Sequence, residues 1–351
     1  MEECALMMKK TAVFIFALIT VLSAFGCSKK EPEPKKETYF EFFDTVSVIY
    51  SYAGDSDAEF KANCEGVKAI LEKYHKLFNI YYEYAGINNL CTINRKAYKE
   101  PVKVDSELID FLLYAKQLHA LTDGEMNIAL GAVTALWHDE RELAEDGEGK
   151  LPDYDKLVRV SEFTDINSIV IDREASTVFF ATDGVRIDVG ALGKGYATEK
   201  AAQYLEEKGA YGYVLDIGRN IRCIGKRPSG DGWRIGIANP DKTQSSYIKT
   251  LMLADVSCVT SGNYERFYTV NGKQYHHIID KDTLMPSEHF TLVNVICKDS
   301  GLADALSTAL FCMPVEDGKR IAKNAGAEVL WLTPSGEIYT TDGYMAFVTN
   351  E

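Results

Sequence analysis

The stretch from Asp188 to Tyr196 has the composition of a phosphate-binding turn. It reads Asp188-Val-Gly-Ala-Leu-Gly-Lys-Gly-Tyr196, an apolar strand pattern that leads into glycines and then into a helix pattern. Such a turn lets backbone N–H groups at a helix N-terminus approach phosphate oxygens, and Lys194 adds a positive charge. The spacing matches neither GxGxxG nor a Walker loop, so an ordinary strand-to-helix turn with an exposed lysine also fits.

Asp304 and Thr308 are four residues apart in a predicted helix that otherwise holds mainly small and apolar residues. They therefore lie on one face of that helix. A hard cation such as Mg²⁺ takes a few protein oxygens together with substrate phosphate oxygens, and this pair would supply two ligands. The alternative is structural: Asp304 would cap the helix or interact with its dipole, and Thr308 would bond to a backbone carbonyl.

Two further segments offer polar side chains. Val259 to Tyr268 is a strand pattern followed by a polar turn, which could orient a ligand or form only a turn. His276 and His277 are the only adjacent pair among six histidines, so they are the natural place to look for a general base. The alternative is a histidine whose hydrogen bonds serve only the fold.

The elements that must position these residues show both helix and strand patterns. Apolar spacing predicts helices over 58–77, 105–121, 194–208, 302–311 and 315–325. Strands are predicted over 168–171, 177–180, 185–189, 213–216, 233–238, 248–253 and 292–296. Hairpin-like pairs outnumber βαβ units, so we predict an α+β fold with mixed, largely antiparallel sheets and packed helices. No internal repeat follows Tyr39, which favours one domain with an exposed acidic loop over 139–149.

Composition narrows the range of functions. The chain has 351 residues, of which 46% are hydrophobic and 26% charged, as is typical of a globular protein. The formal net charge of −14 disfavours nucleic acid as a partner, because neutralising phosphates requires a basic face. Apart from Cys4 and Cys27, the cysteines show no CxxC pair and no metal-ligand spacing. They predict no metal site and require no disulfide.

The first thirty residues differ from the rest. Lys9-Lys10 precede an apolar run over 11–26 that is short for a membrane span, and Ser23-Ala-Phe-Gly-Cys27 resembles a bacterial lipobox. We predict a signal peptide over 1–26, a lipidated Cys27 with a charged tether over 27–38, and a folded domain over 39–351. The protein would then be exported and lipid-anchored to a bacterial membrane, facing the periplasm. An uncleaved membrane anchor or a simple secretory peptide is the alternative.

In their order and separation, these segments resemble the ApbE family of FAD:protein FMN transferases over nearly all of the predicted mature chain. Phe43-Asp-Thr-Val46 is similar to the family's opening strand, Cys91-Thr-Ile-Asn94 to SRLN, Gly124 to Trp137 to GAFDPTVGPLVNLW, Asp188 to Tyr196 to DLGGIAKGY, Thr260 to Tyr268 to TSGDYERYF, His277 to Pro286 to HIIDPRTGYP, and Ala303 to Leu310 to ADALATAL. The resemblance implies a single T-fold-like catalytic domain.

The resemblance also implies roles for individual positions. Asp304 and Thr308 would hold Mg²⁺ together with the backbone carbonyl of Ala191. Asp304 and His277 would be catalytic, and His277 would assist deprotonation of the acceptor hydroxyl. The positions implied to bind FAD are Phe43, Tyr84, Glu125, Met126, Asn127, Asp188, Lys194, Ile279 and Ser307.

The chain departs from the family pattern in several loops. Asn127-Ile128 stands where Asp-Pro is usual, Lys281-Asp282 and Leu284 interrupt the PRTG turn, and Arg219 stands where a second glycine is common. An insertion between Phe78 and Tyr84 leaves two candidates for the tyrosine on the flavin side. Counting from Asn94 selects Tyr84, which is our prediction, and counting from Phe78 selects Tyr81.

The activity implied by the resemblance is Mg²⁺-dependent transfer of FMN from FAD to a Thr or Ser hydroxyl of an acceptor protein, through a phosphoester bond and with release of AMP. The acceptor would be an electron-transfer subunit that carries a flavinylation motif. One alternative is an FAD diphosphatase that releases FMN and AMP. Others are a non-catalytic FAD-binding lipoprotein and an unrelated solute-binding lipoprotein.

Overall fold

The computed structural model describes residues 33–145, 149–241 and 243–349. Its strands, numbered in chain order, are β1 Lys35–Tyr39, β2 Ser47–Ser51, β3 Val102–Lys103, β4 Ile169–Asp172, β5 Thr177–Phe180, β6 Tyr213–Ile217, β7 Asn220–Ile224, β8 Trp233–Ala238, β9 Tyr247–Leu253, β10 Ser257–Gly262, β11 Phe267–Val270, β12 Lys273–His276, β13 Leu292–Cys297, β14 Glu328–Leu332 and β15 Ile338–Thr340. The helices are α1 Asp57–Phe78, α2 Leu90–Lys96, α3 Ser106–Leu121, α4 Gly131–Glu145, α5 Tyr154–Ser161, α6 Gly193–Glu207, α7 Ser300–Ala309 and α8 Val315–Ala325, with 3₁₀ turns at Ile166–Ser168 and Tyr344–Phe347.

An antiparallel sheet takes strands from both ends of the described chain. Its order is β1-β2-β6-β7-β10-β13-β14-β15. Every residue of β13 is buried, because both faces of the sheet are covered at its centre. On one face lie α1, α6 and α7. On the other lies the β8–β9 hairpin, whose Trp233 and Leu251 pack against Val214 and Leu330 of the sheet.

Helix α1 shows how the sequence produces the helical layer. Ser56 and Glu59 form a capping box, in which each side chain bonds to the other's backbone N–H. Buried residues then recur at spacings of three and four, at Phe60, Cys64, Val67 and Leu71. This apolar stripe packs the helix against the core and α6.

Helices α6 and α7 pack closely, and a buried ion network holds them to the sheet. Arg222 of β7 donates to Glu199 of α6 at 3.2 Å, and Glu199 also accepts from the N–H of Ser300 at the start of α7, at 2.9 Å. A Cβ on Gly195 would overlap the Ser300 carbonyl oxygen and the Cβ of Asp304. Only glycine lets the two helices approach this closely.

The α+β prediction is confirmed, and most predicted elements form within one or two residues of the expected bounds. Three expectations are wrong. Residues 185–189 are extended but form no regular strand, and only an isolated parallel bridge joins Arg186 to Leu130. The acidic loop predicted over 139–149 is instead helical as far as Glu145, because its Glu, Leu and Ala residues are good helix formers. The tether predicted to reach residue 38 ends earlier, since Lys35–Tyr39 pairs with β2.

The predicted signal peptide and Cys27 lie outside the described residues. Within the described part of the chain, no helix has both the length and the apolar character that crossing a membrane would require. Cys64, Cys91, Cys223, Cys258, Cys297 and Cys312 are all buried free thiols. They behave as small apolar side chains, as their surroundings in the sequence indicated.

Candidate functional site

Four of the predicted site residues meet at one cleft. Lys194, His277, Asp304 and Thr308 line it, together with Gly190, Gly218, Asn220, Val259, Thr260, Ser261, Gly262 and Glu265. The cleft therefore lies where the start of α6, one face of α7, the end of β10 and the β6–β7 turn converge. Its cavity volume is about 50 Å³. That is room for an ion with water or for a phosphate group, whereas pockets that enclose a whole ligand hold roughly 300–1,000 Å³.

Asp304 is the buried anion of the cleft, with 4% of its surface exposed. Its Oδ2 accepts a hydrogen bond from the N–H of Gly195 at 2.8 Å. Burial raises the pKa of Asp304, although Lys194 and the Gly195 N–H both oppose this shift. The structural alternative does not hold, because Asp299 caps α7 by accepting from the N–H of Leu302.

The glycine-rich turn places the Lys194 ammonium beside Asp304. Lys194 Nζ lies 3.8 Å from Asp304 Oδ1 and 3.5 Å from the Gly190 carbonyl oxygen. Gly195 is the third residue of α6, and the first N–H groups of a helix have no partner inside it. Asp304 supplies the partner for the N–H of Gly195. Ala191 precedes the Leu192 N-cap, so its carbonyl lies outside the helix, and Ala191 does not line the cleft.

Asp188 shapes the turn from its first position. Its Oδ1 accepts from the N–H of Gly190 at 2.8 Å, and its Oδ2 accepts from the Thr134 hydroxyl at 2.7 Å. The carboxylate thereby ties the turn to α4. In the described structure Asp188 orders the backbone beside the cleft and does not line the cleft itself.

The sequence left open whether the hydroxyl near Asp304 binds a cation or bonds to a backbone carbonyl, and Ser307 and Thr308 differ in this respect. The hydroxyl that bonds back to the Asp304 carbonyl is that of Ser307, at 2.9 Å. Ser307 is fully buried and also meets the Ser261 hydroxyl at 2.7 Å, which joins α7 to β10. Thr308 is half-buried and lines the cleft beside Asp304. Of the two hydroxyls, that of Thr308 is therefore the better placed to meet a cation.

The two adjacent histidines have different surroundings. His276 is buried, and its Nε2–H donates to the Ser287 carbonyl at 2.8 Å while Nδ1 accepts from the N–H of Ile278. His277 is open to water and lines the cleft. Its Nδ1 lies 3.2 Å from the Arg266 carbonyl. A carbonyl can only accept, so Nδ1 carries the proton and Nε2 is left as the basic nitrogen.

The concave surroundings keep His277 neutral. The loss of hydration in the cleft lowers its pKa, and the positive charge of Arg266 lowers it further. Water still reaches the ring, but the protein atoms around it reduce the hydration of an imidazolium. A neutral imidazole with a free Nε2 is the form that a general base requires.

Glu265 and Asn220 line the cleft without a predicted role for either. The Arg219 guanidinium pairs with Glu265 at 2.5 Å, and Arg219 adopts a φ of +70° in the β6–β7 turn. Burial raises the pKa of Glu265, and Arg219 opposes this. Asn220 follows with an almost fully buried side chain. The Glu265-Arg266 segment was visible as a polar turn, but only the fold shows that it meets the β6–β7 turn.

The predicted aromatic residues lie in two groups. The Phe43 ring lies 5.7 Å from His75, and Tyr84 contacts the other side of His75, with ring centroids 6.5 Å apart. Tyr81 instead packs against His138, at 5.0 Å, and burial raises its pKa to about 12, with smaller effects from the charges of Asp188 and Arg266. The position of Tyr81 is thus the closer of the two to the charges around the cleft. Which tyrosine contacts a flavin stays a prediction.

The remaining FAD-binding predictions fall outside the small cleft. Glu125 forms an ion pair with Lys281 at 3.2 Å, and the Asn127 amide is bonded to the Thr164 carbonyl and the N–H of Ala129. Met126 belongs to the main core and Ile279 to a smaller cluster under α4 and α5. The structure places these residues on a neighbouring wall, where only Glu125 and Asn127 are partly exposed.

The donor set suits a hard cation that relies on its substrate for further ligands. Within residues 33–145, 149–241 and 243–349, no cluster of three or more His, Cys, Asp or Glu side chains could hold a metal. The cleft instead combines the Asp304 carboxylate with the Thr308 side chain, and Ala191, whose carbonyl the resemblance implies as a ligand, follows the lining residue Gly190. Proteins commonly bind Mg²⁺ through one or two carboxylates together with the oxygens of substrate phosphates.

A larger groove lies elsewhere, along α3. It has a cavity volume of about 540 Å³ and is lined by residues such as Asp110, Tyr114, Lys116 and Arg173. Arg173 is already paired with Asp110 at 2.8 Å, and Tyr114 donates to Asp299. None of the predicted site residues lies there, so the chemistry favours the smaller cleft.

Comparisons with known proteins identify the family. The family model described as "ApbE family" matches residues 44–331. Proteins named FAD:protein FMN transferase are similar over almost their whole length. The protein from Haemophilus influenzae is 26% identical over 347 residues, 97% of this chain and 98% of that protein. The protein from Treponema pallidum is 28% identical over 355 residues, 96% of each chain.

Solved structures show the same fold. The ApbE protein from Thermotoga maritima has a TM-score of 0.79 at 25% identity, and the match covers 91% of this chain and all of that one. The flavin transferase ApbE from Vibrio cholerae has a TM-score of 0.74 at 24% identity, covering 90% of this chain and 99% of that one.

Proposed function

The chain belongs to the ApbE family, and from this premise we propose that it is an FAD:protein FMN transferase, which moves the FMN half of FAD onto a hydroxyl group of an acceptor protein. The observation that carries the proposal is the meeting of Asp304, Lys194 and neutral His277 at one cleft. A buried anion with oxygen ligands beside it, a cation and a base are the parts that phosphoryl transfer requires.

The reaction exchanges the phosphoanhydride bond of FAD for a phosphoester bond. The oxygen of an acceptor Thr or Ser forms a bond to the FMN phosphorus, and the bond from that phosphorus to the bridging oxygen breaks. AMP leaves with the bridging oxygen and its electron pair. The hydroxyl proton passes to a base, and the products are AMP and a protein-bound FMN phosphoester.

Lys194 and His277 would act on opposite sides of the reacting phosphorus. Lys194 lies near the start of α6, where a cation and a helix N-terminus both favour phosphate oxygens. Nε2 of His277 would accept the hydroxyl proton. A Thr or Ser hydroxyl is barely ionised at neutral pH, so positioning and charge must contribute much of the barrier reduction.

Asp304, Thr308 and the Ala191 carbonyl would hold Mg²⁺. When bound, this cation would neutralise charge on the pyrophosphate and on the leaving phosphate. Lys194 lies 3.8 Å from Asp304 without a closer contact, so it can turn to the phosphate when a cation takes its place beside the carboxylate.

The size of the cleft is compatible with binding only part of FAD. A cavity of about 50 Å³ has room for one phosphate group or for an ion with water. The flavin and adenine rings would then lie against the wall that carries Phe43 and the tyrosines and the wall that carries Glu125, Asn127 and Ile279. Because His277 is open to water, a second activity is compatible with the site. In it, water replaces the acceptor hydroxyl and the enzyme is an FAD diphosphatase.

We further propose that the enzyme is exported and attached to a membrane through Cys27, where it modifies an electron-transfer subunit. The support is the sequence pattern of residues 1–27 alone.

The test is to incubate the chain from Ser28 with FAD and Mg²⁺, with and without a flavinylation-acceptor domain, and to follow AMP release and the intact mass of the acceptor. A mass gain of one FMN less one water, prevented by EDTA, is expected for the transferase. AMP and free FMN without a mass gain would indicate the diphosphatase, and FAD that is bound but unchanged would indicate a carrier.

A further inference from the structure

Asn220 carries a buried acceptor that the fold leaves without a partner. In the described part of the chain, five buried side-chain atoms lack a hydrogen bond: those of Ser47, Asn220, Ser257, Tyr264 and Ser300. Of these residues, only Asn220 lines the cleft. Its side chain is 1% exposed, so bulk water does not satisfy its Oδ1. A buried amide oxygen without a partner is unfavourable unless a ligand supplies one.

The backbone fixes the position of this amide. Asn220 is the first residue of β7 and pairs with Ile217 of β6 on one side and with Val259 of β10 on the other. Two residues further along the same strand face, Arg222 is held by Glu199 and Glu206 of α6. The strand therefore cannot shift to give the amide another environment.

The Asn220 amide lies beside Asp304. Its Nδ2 reaches the Ile217 carbonyl only at 3.4 Å, which is a long hydrogen bond. Asn220 and Asp304 both line the cleft. Asn220 thus faces the carboxylate that would hold the cation, with its oxygen still unbonded.

We propose that Asn220 is a further oxygen ligand of the divalent cation that Asp304 holds. The inference rests on the proposed function only in assuming that a cation binds in this cleft. An amide oxygen is a suitable ligand for a hard cation. Because it is neutral, it completes the coordination without adding negative charge next to the pyrophosphate of the substrate.

The experiment titrates the FAD-free chain with Mn²⁺ and measures free Mn²⁺ by electron paramagnetic resonance. Asn220→Leu keeps the size of the side chain but has no oxygen, and its Mn²⁺ affinity should fall about tenfold or more. Asn220→Asp keeps an oxygen and adds charge, so its affinity should equal or exceed that of the wild type. Ser257→Ala removes an unpartnered hydroxyl that does not line the cleft, and it should leave the affinity unchanged.

Wild-type affinity in Asn220→Leu would overturn the inference. Equal weakening in the Leu and Asp variants would also overturn it, because the amide N–H and not the oxygen would then be the group that matters. If Asn220→Leu does not fold, the comparison of Asn220→Asp with the wild type still tests the inference. Weaker Mn²⁺ binding by Asn220→Asp would contradict an oxygen ligand at this position. If Asp304→Asn abolishes Mn²⁺ binding and Asn220→Leu does not, this inference alone is rejected. If the wild type binds no Mn²⁺ even after FAD is added, the proposed function is rejected with it.

Discussion

The carboxylate of Asp304 in α7 accepts a hydrogen bond from the N–H of Gly195 in α6, at 2.8 Å. Helix α6 has no side-chain cap of its own at Leu192, so Asp304 satisfies one of its free N–H groups from a different helix. The same contact holds the first turn of α6 against Asp304, beside the cleft residue Lys194. One hydrogen bond therefore joins the packing of the two helices to the geometry of the proposed cation site.

Asp304→Asn should make the metal-free protein more stable and the enzyme inactive. The pKa of Asp304 in the folded state is raised, so the unfolded chain ionises more readily and the charge destabilises the fold at neutral pH. We expect the thermal midpoint to rise, by about 1–2 °C for each kcal/mol gained, since the entropy of unfolding is roughly 2 cal/mol/K per residue. Differential scanning calorimetry in EDTA measures it.

The same variant should lose its response to Mg²⁺. The cation should raise the midpoint of the wild type by binding the folded state, and should not raise that of Asp304→Asn. The rate of FMN transfer should fall at least about 100-fold. A variant that is less stable in EDTA but still responds to Mg²⁺ would contradict the assignment of Asp304.

Gly195→Ala should separate α6 from α7. The added Cβ meets a backbone carbonyl and Asp304 Cβ, neither of which can move independently of its helix. We expect a loss of about 1–3 kcal/mol in the free energy of unfolding, although Ala normally stabilises a helix relative to Gly. Urea denaturation measures it, with Gly193→Ala as the control, because its Cβ comes no closer than 3.2 Å to Phe78. Equal effects from both substitutions would show that the close approach at Gly195 is unimportant.

Arg219→Gly should leave the free energy of unfolding unchanged or raise it, whereas Arg219→Ala should lower it. Arg219 adopts a φ of +70°, which glycine accepts freely and other residues adopt at a cost of about 1 kcal/mol. Both variants lose the ion pair between Arg219 and Glu265. The Arg219 side chain is 35% exposed and that of Glu265 is 26% exposed, so the pair contributes at most about 1 kcal/mol to stability. The difference between the two variants in urea isolates the backbone effect. If Gly were no more stable than Ala, the backbone at this turn would not be strained.

The pH profile of the transfer should reflect a histidine with a lowered pKa. Below its folded pKa, His277 is protonated and cannot accept a proton, so the rate falls with decreasing pH. Because that pKa lies below 6.5, the acid limb of kcat/KM at saturating Mg²⁺ should also have its midpoint below 6.5. Protonation of the unfolded chain below pH 6.5 should at the same time reduce stability. An acid limb centred at or above 6.5 would exclude His277 in this environment as the base.

The sequence predicted the residues of the cleft better than their surroundings. The spacing of Asp304 and Thr308 on one helix face required no tertiary information. The difference between His276 and His277 could not be read from the sequence, because it depends on which ring reaches the Ser287 carbonyl once the following loop has folded back. Asn220 was missed because a single amide carries no motif, and its significance arises only from burial without a partner.

Two departures from the family pattern became interpretable only from backbone angles. Arg219 and Leu284 stand where the resemblance expects glycine, and both have positive φ, at +70° and +60°. Both turns therefore have a residue in the left-handed backbone conformation, although that residue is not glycine. Leu284 is buried in the cluster under α4, so its side chain offsets the strain by packing. Arg219 has in return a partly exposed ion pair with Glu265 and a cation–π contact with the Tyr264 ring.

The most direct test of the central claim compares wild type and Asp304→Asn, each incubated with FAD, Mg²⁺ and a flavinylation-acceptor domain, by the intact mass of the acceptor. We predict that the wild-type chain adds one FMN less one water to the acceptor, and that the variant, although folded, adds none. Undiminished FMN addition by Asp304→Asn at limiting Mg²⁺ would contradict the claim that this cleft performs the transfer.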